Sequence, residues 1–344
     1  MACPNETMKR RALIAALLSL LLLTLTPALD AKAQAAPAGA ASLENASNGD
    51  HWFLAPKIKR LFRSHTSYQF GNPYQPQINP LSRLEFPLNS WWGGVNFGVE
   101  GPRYRLELEF LASLPGQDDI GVMRDSDWEN EQHPKVTTIY SETTAELKES
   151  FMLDGKFSFS LREEVSAPCW LDLRPLVGVR WQKFVFVTRD GVQQNMDDDG
   201  QWQYQPLNGE TIWFRQQYVH AYAGLLLTAD LARLGLGQPG RGWRASLQAD
   251  LAHVWGENRD RHLLRGNRVT TERTQGYAWH AALSLRAPLG DWGALVMSAD
   301  YMYIYTSGEH TLDYPDYDID YTFDYGVKVW SQQMGVSLAL EIPF

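Results

Sequence analysis

The chain has 344 residues, of which 44% are hydrophobic and 21% charged, and its formal net charge is −9. This balance excludes a disordered chain, and the negative charge argues against a nucleic-acid-binding protein, because phosphate binding depends on clustered Lys and Arg. The two cysteines are Cys3 and Cys169. Since Cys3 lies in a segment that we expect to be removed, the mature chain has no thiol pair for a disulfide or a cysteine-based metal site.

The N-terminus has the three parts of a secretory signal peptide. Residues 9–11 are basic, residues 12–25 form an apolar run, and Ala31-Lys32-Ala33 is a small-residue cleavage site. We therefore expect an exported protein with three segments: a signal peptide (residues 1–33), a flexible linker (residues 34–60) and a third segment (residues 61–344), whose alternating pattern predicts an outer-membrane β-barrel.

Apolar and polar residues alternate over long segments of the mature chain, as in strands that bury one face. Leu and Phe at even positions alternate with Arg and Glu at odd positions in residues 105–110, and residues 243–251 and 336–344 alternate in the same way. Charges occupy the second face in strand after strand, as a polar barrel interior requires. The pattern favours an all-β, antiparallel transmembrane β-barrel over a soluble β-sandwich, in which the interior charges would be buried unpaired.

Short and long connections alternate along the chain, as the short periplasmic turns and long outer loops of outer-membrane barrels do. Short turns are predicted at residues 100–102 and 154–155. The longer polar stretches, predicted as loops at the external end, are residues 118–136, 190–210, 257–268 and 307–320. Aromatic girdles at the membrane interfaces are predicted from Trp91, Trp92, Tyr301, Tyr303 and Tyr305.

Two short motifs lie in or beside the long polar stretches. Asp125 and Asp127 form one, and Asp260 and His262 form the other. The spacing of two residues puts both side chains of each motif on the same face of a strand. Isolated acidic pairs in loops are usually solvated surface. Two carboxylates that face an Asp–His pair across a gap, in contrast, suit an acid–base site that activates water.

These motifs carry a resemblance to a known family. Arg124–Trp128 resembles the Asp-x-Asp-Trp motif of the omptins, outer-membrane proteases of Gram-negative bacteria, and Asp260–His262 resembles their Asp-x-His motif. Residues 82–86, 178–191 and 268–278 are also omptin-like and follow in consistent order. The resemblance implies a barrel of about ten strands that extends above the membrane and has a groove at its outer end.

The resemblance also implies the roles of the motif residues. His262 would be the general base for water attack on a peptide carbonyl, Asp260 would orient its ring, and Asp125 and Asp127 would position the water. The expected protein is an aspartyl-type endopeptidase that cleaves surface-exposed peptides or proteins. We expect a monomer in the bacterial outer membrane, with its groove facing outside, that needs no metal, nucleotide or nucleic acid.

Three positions bear on substrate and lipid. Omptins that cut at basic residues carry acidic side chains at the base of the specificity pocket, whereas the equivalent positions here are predicted to be Gln69 and Asn258. Two neutral amides lack the charge that selects Arg or Lys, so a different preference is expected. Lys183 matches a position with which omptins bind lipopolysaccharide, a partner required for their activity, but Val179 and Trp181 differ from their polar counterparts.

A second hypothesis is a non-enzymatic outer-membrane barrel of the same fold, such as a porin, an adhesin or a structural protein. The neutral amides at Gln69 and Asn258 favour this alternative. The intact set of Asp125, Asp127, Asp260 and His262 favours the enzyme, because a pore does not need an Asp–His pair opposite two carboxylates.

Overall fold

The computed structural model describes residues 49–71, 80–130, 135–164, 170–197, 199–231, 242–264, 266, 268–314 and 319–344. The predicted signal peptide lies outside these ranges. The strands within them are β1 His51–Leu61, β2 His65–Phe70, β3 Ser82–Pro87, β4 Trp91–Glu100, β5 Tyr104–Ser113, β6 Gly121–Asp127, β7 Ile139–Leu147, β8 Phe151–Phe159, β9 Leu171–Met196, β10 Trp202–Asp230, β11 Arg244–His262, β12 Arg268–Pro288, β13 Ala294–Tyr314 and β14 Ile319–Pro343. In the described ranges, no helix has the length and apolar character to cross a bilayer.

The strands form one closed antiparallel sheet with two levels. The six long strands β9 to β14 pair in sequence and run through both levels. The lower level is completed by β1, β4, β5 and β8, and the upper level by β2, β3, β6 and β7. Each set joins both β9 and β14, so ten strands surround the interior at either level. This confirms the predicted β-barrel and excludes the β-sandwich.

The two levels arise because each of the first four passes of the chain is interrupted near its middle. At each interruption a side chain donates a hydrogen bond to a main-chain carbonyl two or three residues earlier, which satisfies an oxygen that has left the ladder. The four bonds are Ser64 Oγ to Phe62 O (3.0 Å), Ser90 Oγ to Leu88 O (2.9 Å), Gln117 Nε2 to Leu114 O (2.8 Å) and Ser150 Oγ to Lys148 O (3.0 Å).

The outer face of the lower level is an apolar band, as a lipid-facing surface requires. The alternation predicted for residues 243–251 is confirmed, since Leu247 and Leu251 are exposed while Gln248 and Asp250 are buried. The rings of Tyr277 and Tyr305 contact each other in a tilted arrangement (5.8 Å between ring centroids) at the upper edge of the band. Other exposed members of the band include Leu54, Phe110, Val177, Leu225, Leu283 and Leu338.

Trp92 differs from the girdle prediction. Trp91 is exposed, but Trp92 is fully buried and faces the interior, because neighbouring residues in a strand point to opposite faces. Its indole N–H donates to Ser90 Oγ (2.9 Å), and its ring meets Phe184 edge-on.

The interior of the lower level is filled by ion pairs. Opposite charges meet at distances of 2.6 to 2.8 Å, either across strands or two residues apart on one strand, so the inward charges predicted from the alternation are neutralised inside the barrel. Among them are Lys57–Glu109 (2.6 Å), Lys59–Asp300 (2.8 Å), Arg105–Glu107 (2.8 Å) and Arg180–Asp154 (2.8 Å).

An aromatic layer, formed by Tyr68, Phe86, Phe186 and Phe214, lies inside the upper level. Phe86 stacks on Phe214 (4.3 Å), Phe214 stacks on Tyr68 (5.4 Å), and Phe186 contacts both phenylalanines. All four side chains are fully buried. The layer connects opposite walls, because β2 and β3 pair with each other but not with β9 or β10.

Several predicted boundaries were wrong. The barrel begins at His51, so residues 51–60 belong to β1 instead of the linker. The short turn predicted at residues 154–155 lies inside β8. Most of the polar stretches 190–210 and 307–320 is strand, since β9 continues to Met196, β10 starts at Trp202 and β13 continues to Tyr314. These strands project beyond the apolar band, where water can reach both faces and an apolar–polar alternation is no longer needed.

Candidate functional site

The first predicted pair, Asp125 and Asp127, lies at the end of β6. Both side chains point into the barrel and are 4% exposed. Arg124, which precedes Asp125 in the strand, points outwards and pairs with Glu142 (3.1 Å). The predicted common face of the two carboxylates is therefore present, and it is the interior face.

The sheet register aligns this pair with its neighbours. Asp125 is opposite Leu84 on β3, and Leu84 is opposite Tyr68 on β2. Asp127 is opposite Ser82, one side-chain row nearer to the upper end. The hydroxyl of Ser82 lies 3.5 Å from an oxygen of Asp125.

The second predicted pair, Asp260 and His262, lies at the end of β11, and both side chains are also buried in the interior. His262 Nε2 is 2.8 Å from Asp260 Oδ2. Among the described residues this nitrogen has no hydrogen bond of normal geometry, so the contact is a close electrostatic pair that lacks the alignment of a hydrogen bond.

Tyr68 connects the two pairs across the barrel. Its hydroxyl donates a short hydrogen bond to Asp260 Oδ2, the same oxygen that His262 approaches. Because Tyr68 shares a row with Asp125, this bond puts Asp125 and Asp260 at the same height on opposite walls. Asp127 and His262 each lie two residues further along their strands towards the upper end. The four predicted residues are thus gathered in one part of the interior.

The environment of Asp260 favours its charged form. Burial alone would raise the pKa of Asp260, but His262 and the hydroxyl of Tyr68 outweigh burial and hold this pKa below its ordinary value. Burial, together with the charge of Asp260, raises the pKa of Tyr68 well above its ordinary value. Tyr68 therefore remains a hydrogen-bond donor to an ionised aspartate.

A row of polar side chains lies one step deeper on the same wall, and we call it the polar row. Gln216, Asn258, Glu272 and His310 are cross-strand neighbours on β10 to β13, and all four are buried. His310 Nδ1 is 2.9 Å from one oxygen of Glu272. Within the described residues, the other oxygen of Glu272 and the amide nitrogens of Asn258 and Gln216 have no hydrogen bond of normal geometry. Burial raises the pKa of Glu272, although His310 opposes the shift.

Two comparisons with known proteins find similarity to the same kind of barrel. Residues 92–238 match the model of the Omptin family. The crystal structure of the outer-membrane protease OmpT from Escherichia coli superposes with a TM-score of 0.73 and 14% sequence identity, covering 86% of this chain and 97% of that one. The chain is omptin-like in sequence and in fold. Its fold is that of an outer-membrane protease.

Other similarities are weaker. The translocator domain of the autotransporter NalP from Neisseria meningitidis has a TM-score of 0.31 and 10% identity, over 96% of this chain and 97% of that one. OccAB3 from Acinetobacter baumannii has a TM-score of 0.22 and 10% identity, over 86% and 99%. No curated protein sequence matches the chain.

Gln69 and Asn258 of this omptin-like chain do not come together. Tyr68 faces the interior, so its neighbour Gln69 points to the outer face of the wall. There Gln69 Oε1 accepts two hydrogen bonds from Arg83 (2.9 and 3.1 Å), whose guanidinium lies over Trp128 and Trp330. The assignment of Gln69 to an interior pocket is therefore wrong, because a shift of one residue reverses the face. Asn258 does face the interior.

Lys183 lies on the outer face of the omptin-like barrel. It shares that face with Val179 and Trp181, and its ammonium group lies over the ring of Phe151 at 5.5 Å. This location suits a contact with a lipid headgroup, which stays a prediction. Within the described ranges, no group of three or more His, Cys, Asp or Glu side chains is arranged to hold a metal ion.

The sequence analysis missed Tyr68, Glu272 and His310. Tyr68 stands in a six-residue strand without a recognisable motif, so only the closure of the barrel reveals its partner. Glu272 and His310 are 38 residues apart in the chain and meet through the pairing of β12 with β13. Strand alternation indicates an inward face for each, but it does not identify which strands are neighbours.

Proposed function

We propose that this chain is an outer-membrane endopeptidase that cleaves peptides or proteins at the bacterial cell surface, with its groove at the outer end of the barrel. The observation that carries the proposal is the pairing of His262 with Asp260 (2.8 Å) inside an omptin-like barrel. The Asp125 and Asp127 carboxylates on the opposite wall, at matching heights, support it.

In the proposed mechanism His262 is the general base, because an imidazole titrates near neutral pH. Its Nε2 faces Asp260, which leaves Nδ1 to take a proton from water as the water attacks the peptide carbonyl. The ionised Asp260 orients the ring and stabilises the imidazolium that forms. Asp125 and Asp127 hold the water on the other side. The proton on His262 then passes to the leaving amine, which restores the base.

The substrate pocket is proposed to lie around Asn258, one row below Asp260. A neutral amide at this position does not supply the charge that binds Arg or Lys, and Glu272, the carboxylate in the same row, already contacts His310. A preference other than strict cleavage at basic residues is expected. Lipopolysaccharide is the proposed lipid partner, bound at the outer face near Lys183, and no cofactor is proposed.

The alternative function is a barrel that transports or adheres without cleaving. The ion pairs that fill the lower interior argue against transport, because a solute would have to displace paired charges. The gathering of Asp125, Asp127, Asp260 and His262 in one part of the interior argues against a purely structural role, because neither a wall nor a pore needs an Asp–His pair opposite two carboxylates.

The proposal is tested by peptide cleavage with the refolded barrel and added lipopolysaccharide, on a mixed peptide library analysed by mass spectrometry. His262→Ala and Asp127→Ala are each expected to reduce cleavage by about two or more orders of magnitude, the range typical of a general base. His253→Ala, at an outward-facing histidine on the same strand, is the matched control and is expected to cleave as the parent does.

The outcomes separate the two functions. A folded parent that cleaves no peptide, with or without lipopolysaccharide, would favour the non-enzymatic barrel. Cleavage that survives both His262→Ala and Asp127→Ala would mean that the site is assigned to the wrong residues.

A further inference from the structure

Tyr68 is the fully buried side chain that joins the two walls of the candidate site. Its ring stacks on Phe214 at 5.4 Å, and its hydroxyl donates to Asp260 Oδ2. Asp260 and Tyr68 are both 0% exposed. A neutral donor held against a buried carboxylate is a charge-assisted hydrogen bond, one of the stronger polar contacts in proteins.

Because Tyr68 lies on β2, this bond also connects Asp260 to the opposite wall of the site. β2 pairs with β3, and β3 pairs with β6, which carries Asp125 and Asp127. The hydroxyl therefore links the carboxylate wall to the Asp–His wall. Among the described residues, the remaining oxygen of Asp260 has no hydrogen bond of normal geometry, so Tyr68 is the main uncharged group that orients this carboxylate.

We propose that Tyr68 is a positioning residue of the peptidase: its hydroxyl fixes the Asp260 carboxylate, and through it the His262 ring, against the wall of Asp125 and Asp127. The proposal rests on the proposed function. It assigns Tyr68 no contact with substrate, because the side chain has no exposed surface and acts entirely through Asp260.

The chain contains a matched control. Tyr218 is also fully buried in the interior. Its hydroxyl lies near Thr66 and Gln216 but has no hydrogen bond of normal geometry among the described residues. Tyr68→Phe and Tyr218→Phe therefore remove the same atom from two buried tyrosines, and only the first removes a hydrogen bond to Asp260.

We expect Tyr68→Phe to lower kcat about 10- to 100-fold, the effect of losing one hydrogen bond to a charged group, with little change in KM. The groups that face Asp260 are His262 on its own strand, Arg268 and Glu272 on β12, and Tyr68 on β2. Tyr68→Phe removes the hydroxyl and leaves the other three groups in place, so the Asp260 carboxylate loses a donor that favours its charged form. The acid limb of the kcat–pH profile should therefore move to higher pH. Tyr218→Phe should change neither quantity.

Urea unfolding of both variants shows whether the effect is structural. The positioning role would be overturned if the loss of activity in Tyr68→Phe simply followed the loss of folded barrel. It would also be overturned if a folded, slower Tyr68→Phe variant kept the pH profile of the parent. A Tyr68→Phe variant as active as the parent would overturn it too, and this result would leave the proposed peptidase intact. A parent that cleaves nothing, in contrast, removes the peptidase and the role of Tyr68 together.

Discussion

Glu272 shows how a single buried carboxyl group can weaken the barrel that contains it. It is fully buried, and burial raises its pKa above the ordinary glutamate value. A group with a raised pKa in the folded state contributes its full stability below the pKa of the unfolded chain, about 4.3 for Glu. That contribution is lost as pH rises through the folded-state pKa.

The free energy of unfolding of Glu272→Gln, relative to that of the parent, is therefore expected to increase as pH rises from about 4 to 8. The reason is that glutamine keeps the size of the side chain and cannot ionise. Urea unfolding of parent and variant at several pH values measures the difference. Glu257→Gln is the control, since Glu257 is exposed and pairs with Arg215 at the surface (3.0 Å), and its difference should not change in this way. A constant difference for Glu272→Gln would contradict the prediction.

The residues that could be predicted from sequence are those whose spacing encodes a shared face. Asp125 with Asp127 and Asp260 with His262 are two apart, and strand alternation alone puts each pair together. Tyr68 could not be predicted, because its partner Asp260 is 192 residues away. Side chains alternate between the two faces of a strand, which made the pairs two residues apart predictable. The same alternation explains the error at Gln69, because an alignment shifted by one residue moves the side chain to the opposite face.

Strands and their outward faces were predictable from alternation, whereas the interruptions within strands were not. At the breaks, Ser64, Ser90 and Ser150 donate local side-chain hydrogen bonds to main-chain carbonyls. A serine alone does not predict a break, because Ser158 and Ser331 lie inside strands. The strands that project above the apolar band were interpreted as loops, because polar residues occupy both of their faces.

At the level of the strands, the aromatic layer holds β3 against β9 and β10. Phe86 stacks on Phe214 (4.3 Å) and contacts Phe186 (5.2 Å). We expect Phe86→Ala to lower the free energy of unfolding by about 3–5 kcal/mol, the usual cost of truncating a buried phenylalanine, and to reduce cleavage because the walls lose their spacing.

Phe157→Ala provides the comparison for urea unfolding. Phe157 faces outwards from the apolar band and is 42% exposed, so lipid or detergent replaces most of its contacts and the loss should be much smaller. Equal losses for the two variants would mean that the aromatic layer does not brace the upper level.

For the whole molecule, the ion pairs of the lower interior predict a barrel without an open channel. Lys57, Lys59 and Arg105 each meet a carboxylate from another strand inside the wall, and the aromatic layer lies above them. We expect no stepwise conductance when the purified barrel is inserted into a planar lipid bilayer. A general porin in the same bilayer is the positive control, and steady single-channel steps from this chain would revive the transport hypothesis.

The four interruptions give the two sides of the site different connections to the membrane band. β11 runs without a break from that band to Asp260 and His262. The strands that carry Tyr68, Asp125 and Asp127 are separate upper segments, which pair with β14 through β2 and with β9 through β7. A residue inserted into one of the short connections is therefore expected to shift Tyr68 or the two carboxylates relative to Asp260 and His262, which stay on a continuous strand.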